Sequence, residues 1–269
     1  MKRLIVNADD FGFTRDVNSG IIEAHQRGIL TATTLMANGR AFDDAVRLAK
    51  ENPGLDVGCH LVLVGGESLV EPGRALPRSV PEMLRAVASK RLRPVDELRA
   101  QVLKIVSAGI RPMHLDTHKH THLFPPVLDA VARLAEEFGI HWVRRPFDLP
   151  MTPAGTPATV RAVSAGLAVV RRRFHRVLAR YGCRTTDHFA GFQMTGRLDG
   201  AAVVALFRDL PDGLTEFMTH PGHHGPELEA SRTRLKASRA LELAALTSTE
   251  VRSALGACGI ALTRYSELH

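Results

Sequence analysis

At 269 residues, with 45% hydrophobic and 23% charged residues, the chain is long enough for one α/β barrel and has an ordinary globular composition. The net charge of +7 and a pI near 9.8 admit anionic partners, yet the basic residues are spread along the chain. No zinc finger, RNP-like aromatic run or basic zipper is visible, so nucleic acid is not expected as a partner. The three cysteines form no CxxC pair and no apolar run reaches spanning length, which excludes a disulfide framework and a membrane-crossing helix and leaves a cytoplasmic enzyme as the expectation.

In chain order, Lys2–Ala8 reads as a short buried strand. Val17–Arg27 has helical spacing, with Val17, Ile21, Ile22 and Ala24 on one side and Gly28 as a stop. Thr31–Met36, carrying β-branched threonines, predicts a second strand. Ala41–Glu51 predicts a helix ended by Asn52-Pro53-Gly54. Leu55–Leu63 is a third strand with His60 in its second half; Cys59 beside it is read as a small buried apolar residue rather than a ligand. Pro81–Ser89 and Val95–Ala108 predict helices, Arg111–Asp116 a strand, Val127–Phe138 a helix stopped by Gly139, and Ile140–Val143 a strand.

The stretch 146–200 breaks this rhythm. It begins as a Pro- and Thr-rich loop and continues as a helix over Arg161–Arg180. The apolar stripe of that helix is Leu167, Val170, Phe174, Val177 and Leu178. Its other side carries Arg171, Arg172, Arg173, His175, Arg176 and Arg180. This is read as a helical insertion: a lid, a homodimer interface, or a basic face for peripheral contact with anionic lipid at the inner membrane surface. Leu214–Thr219 is a late strand, Arg232–Ala245 a long helix and Ile260–Arg264 a last strand. Alternating strands and helices predict an α/β fold in one domain over 1–269, a (β/α) barrel ahead of a doubly wound open sheet. In such barrels the active site forms at the carboxyl ends of the strands.

Candidate chemistry sits at those ends. Asp9 and Asp10 are adjacent carboxylates after a strand, and buried together they need a cation. His114, Asp116, His118, His120 and His122 alternate along one segment; in extended chain they share a side, which points to a divalent ion held by imidazole and carboxylate. His60 gains its weight from these clusters. His220, fixed before Pro221-Gly222, is placed as a general acid.

Four ordered motifs, NADDFG at Asn7–Gly12, GCHLVL at Gly58–Leu63, HLDTHKHTHLFP at His114–Pro125 and MTHPG at Met218–Gly222, resemble those of the YdjC-type carbohydrate deacetylases. The resemblance runs over essentially the whole chain. It implies a distorted (β/α) barrel, TIM-like and polysaccharide-deacetylase-like. It implies a metal held by Asp10, His60 and His118, with Asp9 as general base and His220 as general acid. Arg171–Arg180 and the RRP at Arg144–Pro146 are similar to the hopanoid-biosynthesis-associated branch (HpnK), which implies removal of acetyl from an N-acetylglucosaminyl hopanoid; a chitooligosaccharide is the alternative substrate. Zinc or magnesium, or else cobalt or manganese, suits mixed His and Asp ligands. Asp116 is expected to hold a ligating histidine by its second nitrogen, Arg144 to orient Asp9 or bind substrate hydroxyls, and His122 to line the sugar pocket. The competing readings are a two-His-one-carboxylate iron oxygenase, a metal phosphodiesterase, and a non-catalytic module for anionic lipid or polymer.

Overall fold

The computed structural model describes residues 1–149 and 157–268, without the side chains at 160, 163–165 and 167–169. Part of the Pro- and Thr-rich loop, and Leu167 of the apolar stripe, therefore lie outside the described residues.

The architecture is the expected α/β barrel, distorted and not fully laddered. Its strands are β1 (Lys2–Phe11), β2 (Ala32–Leu35), β3 (Asp56–Leu61), β4 (His114–Thr117), β5 (Trp142–Val143), β6 (His188–Ala190), β7 (Gly213–Thr219) and β8 (Ile260–Leu262). Every ladder is parallel, in the order β5-β4-β3-β2-β1-β7-β6, with β8 against β1. The sheet curls until its edges touch. Trp142 bridges Arg184, Asp148 bridges Phe189, and Leu149 N donates to the Phe189 carbonyl at 2.8 Å. Because all strands run the same way, their carboxyl ends form one rim.

Helices cover the outside: α1 (Arg15–Arg27), α2 (Phe42–Glu51), α3 (Val80–Ala88), α4 (Pro94–Ser107), α5 (Pro125–Phe138), α6 (Ala158–Arg180), α7 (Gly200–Asp209), α8 (Pro226–Ala230), α9 (Ala237–Thr247) and α10 (Thr249–Ala257). Each apolar stripe faces the sheet, as Val17, Ile21, Ile22 and Ala24 of α1 do. In α6 the buried residues Phe174, Val177 and Leu178 follow the expected stripe, while Val170 is exposed. Arg171, Arg172, Arg173, Arg176 and Arg180 are exposed, as that reading requires.

Three readings need correction. The stretch 146–200 supplies a barrel strand, because β6 pairs with β7 from Thr215 to Phe217. Its three residues are too short for any periodicity to show. Helices α7, α8 and α10 are additions to the expected elements, although Asp199 and Ser248 cap α7 and α10 by accepting from Ala202 N and Val251 N. Helix α9 begins at Ala237, five residues later than the predicted Arg232, after a turn-rich segment.

Two local features position the rim. Strand β1 runs on past Ala8, with a register shift before Phe11 and Asp10 at φ +70°. This irregularity re-aims the paired aspartates. Helix α1 meets the loop after β7 at two glycines: a Cβ on Gly20 would lie 2.4 Å from Gly222 Cα. Gly20→Ala is therefore expected to displace the 220–222 loop and cost about 1–3 kcal/mol, read by denaturant unfolding. The Asp148 carboxyl, which accepts from Phe192 N and Gln193 N, is pushed up from 3.8 to about 6, chiefly by burial. A carboxyl with a raised folded pKa loses stability as pH rises between those values. The protein should thus fall in stability relative to Asp148→Asn from about pH 4 to 6, measured by parallel melts.

Candidate metal centre

The site is assembled around β1. Asp9 is 3% exposed and Asp10 5% exposed. Asp9 is gripped on both oxygens by Arg144, whose Nη1 donates to Oδ2 at 2.8 Å and Nη2 to Oδ1 at 2.7 Å. Asn7 Nδ2 donates to the same Oδ1 at 3.0 Å, and Asn7 Oδ1 is in turn 3.0 Å from His114 Nε2. Arg144 follows β5 directly and its side chain is wholly buried. Its Nε donates to Glu216 Oε1 at 2.7 Å and its Nη1 lies 2.5 Å from Asp116 Oδ2. One planar fork therefore serves three carboxylates from β1, β4 and β7, a task that lysine's point charge could not perform.

Three donor atoms converge beside this network. Asp10 Oδ1 is 3.4 Å from His60 Nε2 and 3.5 Å from His118 Nδ1, and the two nitrogens are 3.3 Å apart. Ligands bound at about 2.1 Å in a tetrahedral site lie about 3.4 Å from one another, so the triangle matches a first-row or similar divalent ion. His60 Nδ1 is held at 2.7 Å by Asp116 Oδ1, which turns Nε2 toward the triangle. Thr34 Oγ1 donates to Asp116 Oδ2 at 3.3 Å. The His118 side chain is 28% exposed, which leaves one side open. Asp9, His60 and Asp116 form a second cluster of close donors, but the Arg144 guanidinium already lies on both of its carboxylates.

Charge supports the same fit. Five buried carboxyl groups, Asp9, Asp10, Asp116, Glu216 and Glu242, face two buried guanidiniums, Arg144 and Arg239, so the carboxyl groups are in excess. The protein alone meets this deficit with protons. Burial disfavours the His60 cation, but the carboxylates of Asp116, Asp10 and Asp9 outweigh it and lift the imidazole to about 10. Burial raises Glu216 to about 7 against the pull of Arg144. For Asp9 and Asp10 burial acts upward, yet Arg144 and Arg239 hold both well below the usual carboxylate range. A divalent cation supplies the missing charge in one place.

His220 stands beside Asp9, with Nε2 3.9 Å from Asp9 Oδ2. Glu242 positions it: its Oε2 accepts from His220 N at 2.5 Å and lies 3.9 Å from Nδ1. Burial pulls His220 down to about 4 and raises Glu242 to about 7.

The structure thus brings together Asp9, Asp10, His60, Asp116, His118, Arg144 and His220. It places the other histidines elsewhere, because the chain leaves the extended form after Thr117. Lys119 and His120 adopt φ +57° and +51°, so the alternation expected to put the histidines on one side is broken. His122 is fully buried. Its Nε2 lies 3.0 Å from the Arg144 carbonyl, its Nδ1 2.6 Å from Thr117 Oγ1, and its ring meets Phe174. It therefore supports the backbone of Arg144 rather than lining an open sugar pocket. His114 stacks on Tyr265 at 4.0 Å. His223 and His224 pair at the surface with Glu23 and Glu229. Three site residues, Arg239, Glu242 and Glu216, escape the reading of the sequence. Arg239 and Glu242 lie three apart on α9 and so share a face, and that spacing of opposite charges among apolar residues is the available signal.

The family model described as YdjC-like protein matches residues 3–257. The chain belongs to the YdjC-like family. Among its relatives, a carbohydrate deacetylase of Brevibacillus brevis is 35% identical over 99% of both chains. A carbohydrate deacetylase of Geobacillus stearothermophilus is 34% identical over 98% of this chain and 97% of its own. A solved Enterococcus faecalis protein, named for cellobiose-phosphate cleavage, matches with a TM-score of 0.79 at 25% identity, over 99% of this chain and 98% of its own. A lactam utilization protein of Thermus thermophilus shares the fold, with a TM-score of 0.53 at 18% identity over 98% of this chain and all of its own.

His118→Ala removes one corner of the triangle and should lower the bound divalent metal by more than about tenfold in affinity, followed by calorimetric titration. Undiminished binding would take His118 out of the ligand set.

Proposed function

We propose that this YdjC-like protein is a metal-dependent carbohydrate N-deacetylase, acting on an N-acetylglucosamine-type sugar. The observation that carries this reading is the convergence of Asp10, His60 and His118 on one point of the rim, with Asp9 and His220 beside it. The curated relatives, carbohydrate deacetylases over their whole lengths, support the same chemistry.

A divalent ion in the triangle, zinc, magnesium, cobalt or manganese, supplies a Lewis acid for the amide carbonyl and lowers the pKa of water. The protein's own residues perform the proton transfers. Arg144 and Asn7 fix the Asp9 carboxylate in one orientation, and Arg144 keeps it ionised, ready to accept a proton from the attacking water. The new bond joins that water oxygen to the acetyl carbon. His220 is neutral at rest and lies 3.9 Å from Asp9 Oδ2, so the proton taken from water has a short path to it. Its imidazolium then donates to the sugar nitrogen as the C–N bond breaks, giving acetate and a free amine. Glu242 stabilises that charged imidazole and holds its backbone in place.

Within this reading the finer substrate is a glycosylated hopanoid lipid, with a chitooligosaccharide as the alternative. The Arg-rich segment 171–180 and Arg144–Pro146 favour the lipid-linked sugar, and the exposed arginines of α6 suit contact with an anionic membrane surface. Among the described residues no helix is long and apolar enough to cross a membrane.

Acetate release should appear with N-acetylglucosaminyl hopanoid, exceed that from diacetylchitobiose, and vanish with a chelator. Activity that survives full metal removal would refute the metal-dependent reading. Asp9→Asn should lower kcat on the order of 100-fold in the folded protein while the ion stays bound, because it removes the base and leaves Asp10, His60 and His118 in place. Near-normal turnover would remove Asp9 from that role.

A further inference from the structure

Arg144 and Arg145 are neighbours in an extended segment, so their side chains leave on opposite sides. Arg144 enters the barrel and meets three carboxylates. Arg145 turns to the outer side and meets none. It is 6% exposed, its Nη1 donates to the Asp187 carbonyl, and its Nε is buried without a partner. No carboxylate lies within ion-pair distance of it among the described residues. A buried guanidinium left in this condition is costly, and nothing in the barrel architecture calls for one here. Burial, and then the charge of Arg171, pull its pKa down to about 10 against the opposing pull of Asp187, so Arg145 keeps its charge at neutral pH.

Arg145 and Arg171 line a cavity of about 1150 Å³ on the outer side of β6. Its walls include Phe147, Leu149, Met194, Ala201, Ala205 and Leu206. The volume is at or above the usual range for small-molecule sites, roughly 300–1,000 Å³. Of the carboxylates that border it, Asp148 accepts from Phe192 N and Gln193 N, while Asp187 accepts from Leu214 N through Oδ2 and acts on Arg145 by charge alone, without an ion pair. Asp209 also borders the cavity but is exposed. The cavity therefore combines a guanidinium that makes no ion pair among the described residues with an apolar wall.

From this pairing we infer a second binding site, distinct from the metal centre, for a single-chain amphipathic carboxylate. The head group takes the Arg145 guanidinium, with Arg171 beside it, and the aliphatic tail lies along Phe147, Leu149 and Leu206. The carboxylate supplies an acceptor to Nη2, the part of the fork that is neither buried nor bonded to the Asp187 carbonyl. The tail removes apolar wall from water.

The test uses the intact protein and calorimetric titration with decanoate, decanol and acetate, each below its aggregation limit. Decanoate should bind one to one and roughly tenfold more tightly than decanol, and acetate should give no measurable heat. Arg145→Met keeps the bulk and removes the charge, so it should bring decanoate down to the decanol level while leaving decanol unchanged. Ala205→Trp, on an exposed position of α7, fills the cavity without touching the core and should weaken both ligands. Equal affinities for decanoate and decanol in the parent protein would overturn the site. So would undiminished decanoate binding in Ala205→Trp, a result that holds even if Arg145→Met fails to fold.

Discussion

The active rim depends on one buried guanidinium. Arg144 draws Asp9, Asp116 and Glu216 from three different strands into a single planar arrangement, and each of those carboxylates is fully or almost fully buried. Removing one partner of such a group leaves uncompensated buried charge, a cost of about 3–5 kcal/mol. The interaction is thus structural and chemical at once. It ties β1, β4 and β7 together across the barrel interior. It also fixes the Asp9 carboxylate and the Asp116 carboxylate that orients His60.

The surrounding fold is arranged so that this guanidinium arrives in the right place. Arg144 stands just beyond β5, a strand of only two residues, and that short edge cannot hold a long side chain rigidly by ladder bonds alone. Its backbone N–H is taken by the Leu115 carbonyl and its own carbonyl lies 3.0 Å from His122 Nε2. The left-handed residues Lys119 and His120 bend the chain so that His122 returns to this position, while His118, just before them, stays at the rim. Backbone strain of this kind costs of order 1–3 kcal/mol and persists where packing overdetermines it. Here it divides one histidine-rich segment between the candidate metal triangle and the scaffold.

Charge then links the scaffold to the chemistry. The carboxylates outnumber the guanidiniums, so the rim holds either extra protons or a cation. An Asp9 carboxylate kept ionised by Arg144, a His60 imidazole held by Asp116, and a His220 backbone held by Glu242 are three uses of the same buried polar network. On the outer side of the same segment Arg145 repeats the theme without a carboxylate, which is why that position reads as a receptor for an anion rather than as a strut.

Much of this is legible in the residues themselves. Alternating periods mark most strands and helices, and adjacent aspartates with a dense histidine run mark a metal centre, because few other arrangements make those side chains tolerable when buried. Asp9, Asp10, His60 and His118 stand out in this way and meet in the structure. Other parts are hidden because they depend on distance across the fold. A three-residue strand such as β6 carries no period, and its place is set by pairing with β7. Arg239 and Glu242 look like ordinary helix charges until α9 packs over the rim and buries them. The fates of His114, His120 and His122 turn on two left-handed residues that no alternation reveals. Barrel class, and the candidate donors Asp10, His60 and His118 that the fold brings together, could be read from residue order alone, since both rest on local periodicity and side-chain type. Which charges share the interior had to wait for the packed chain, because burial and pairing arise only when distant segments close on one another.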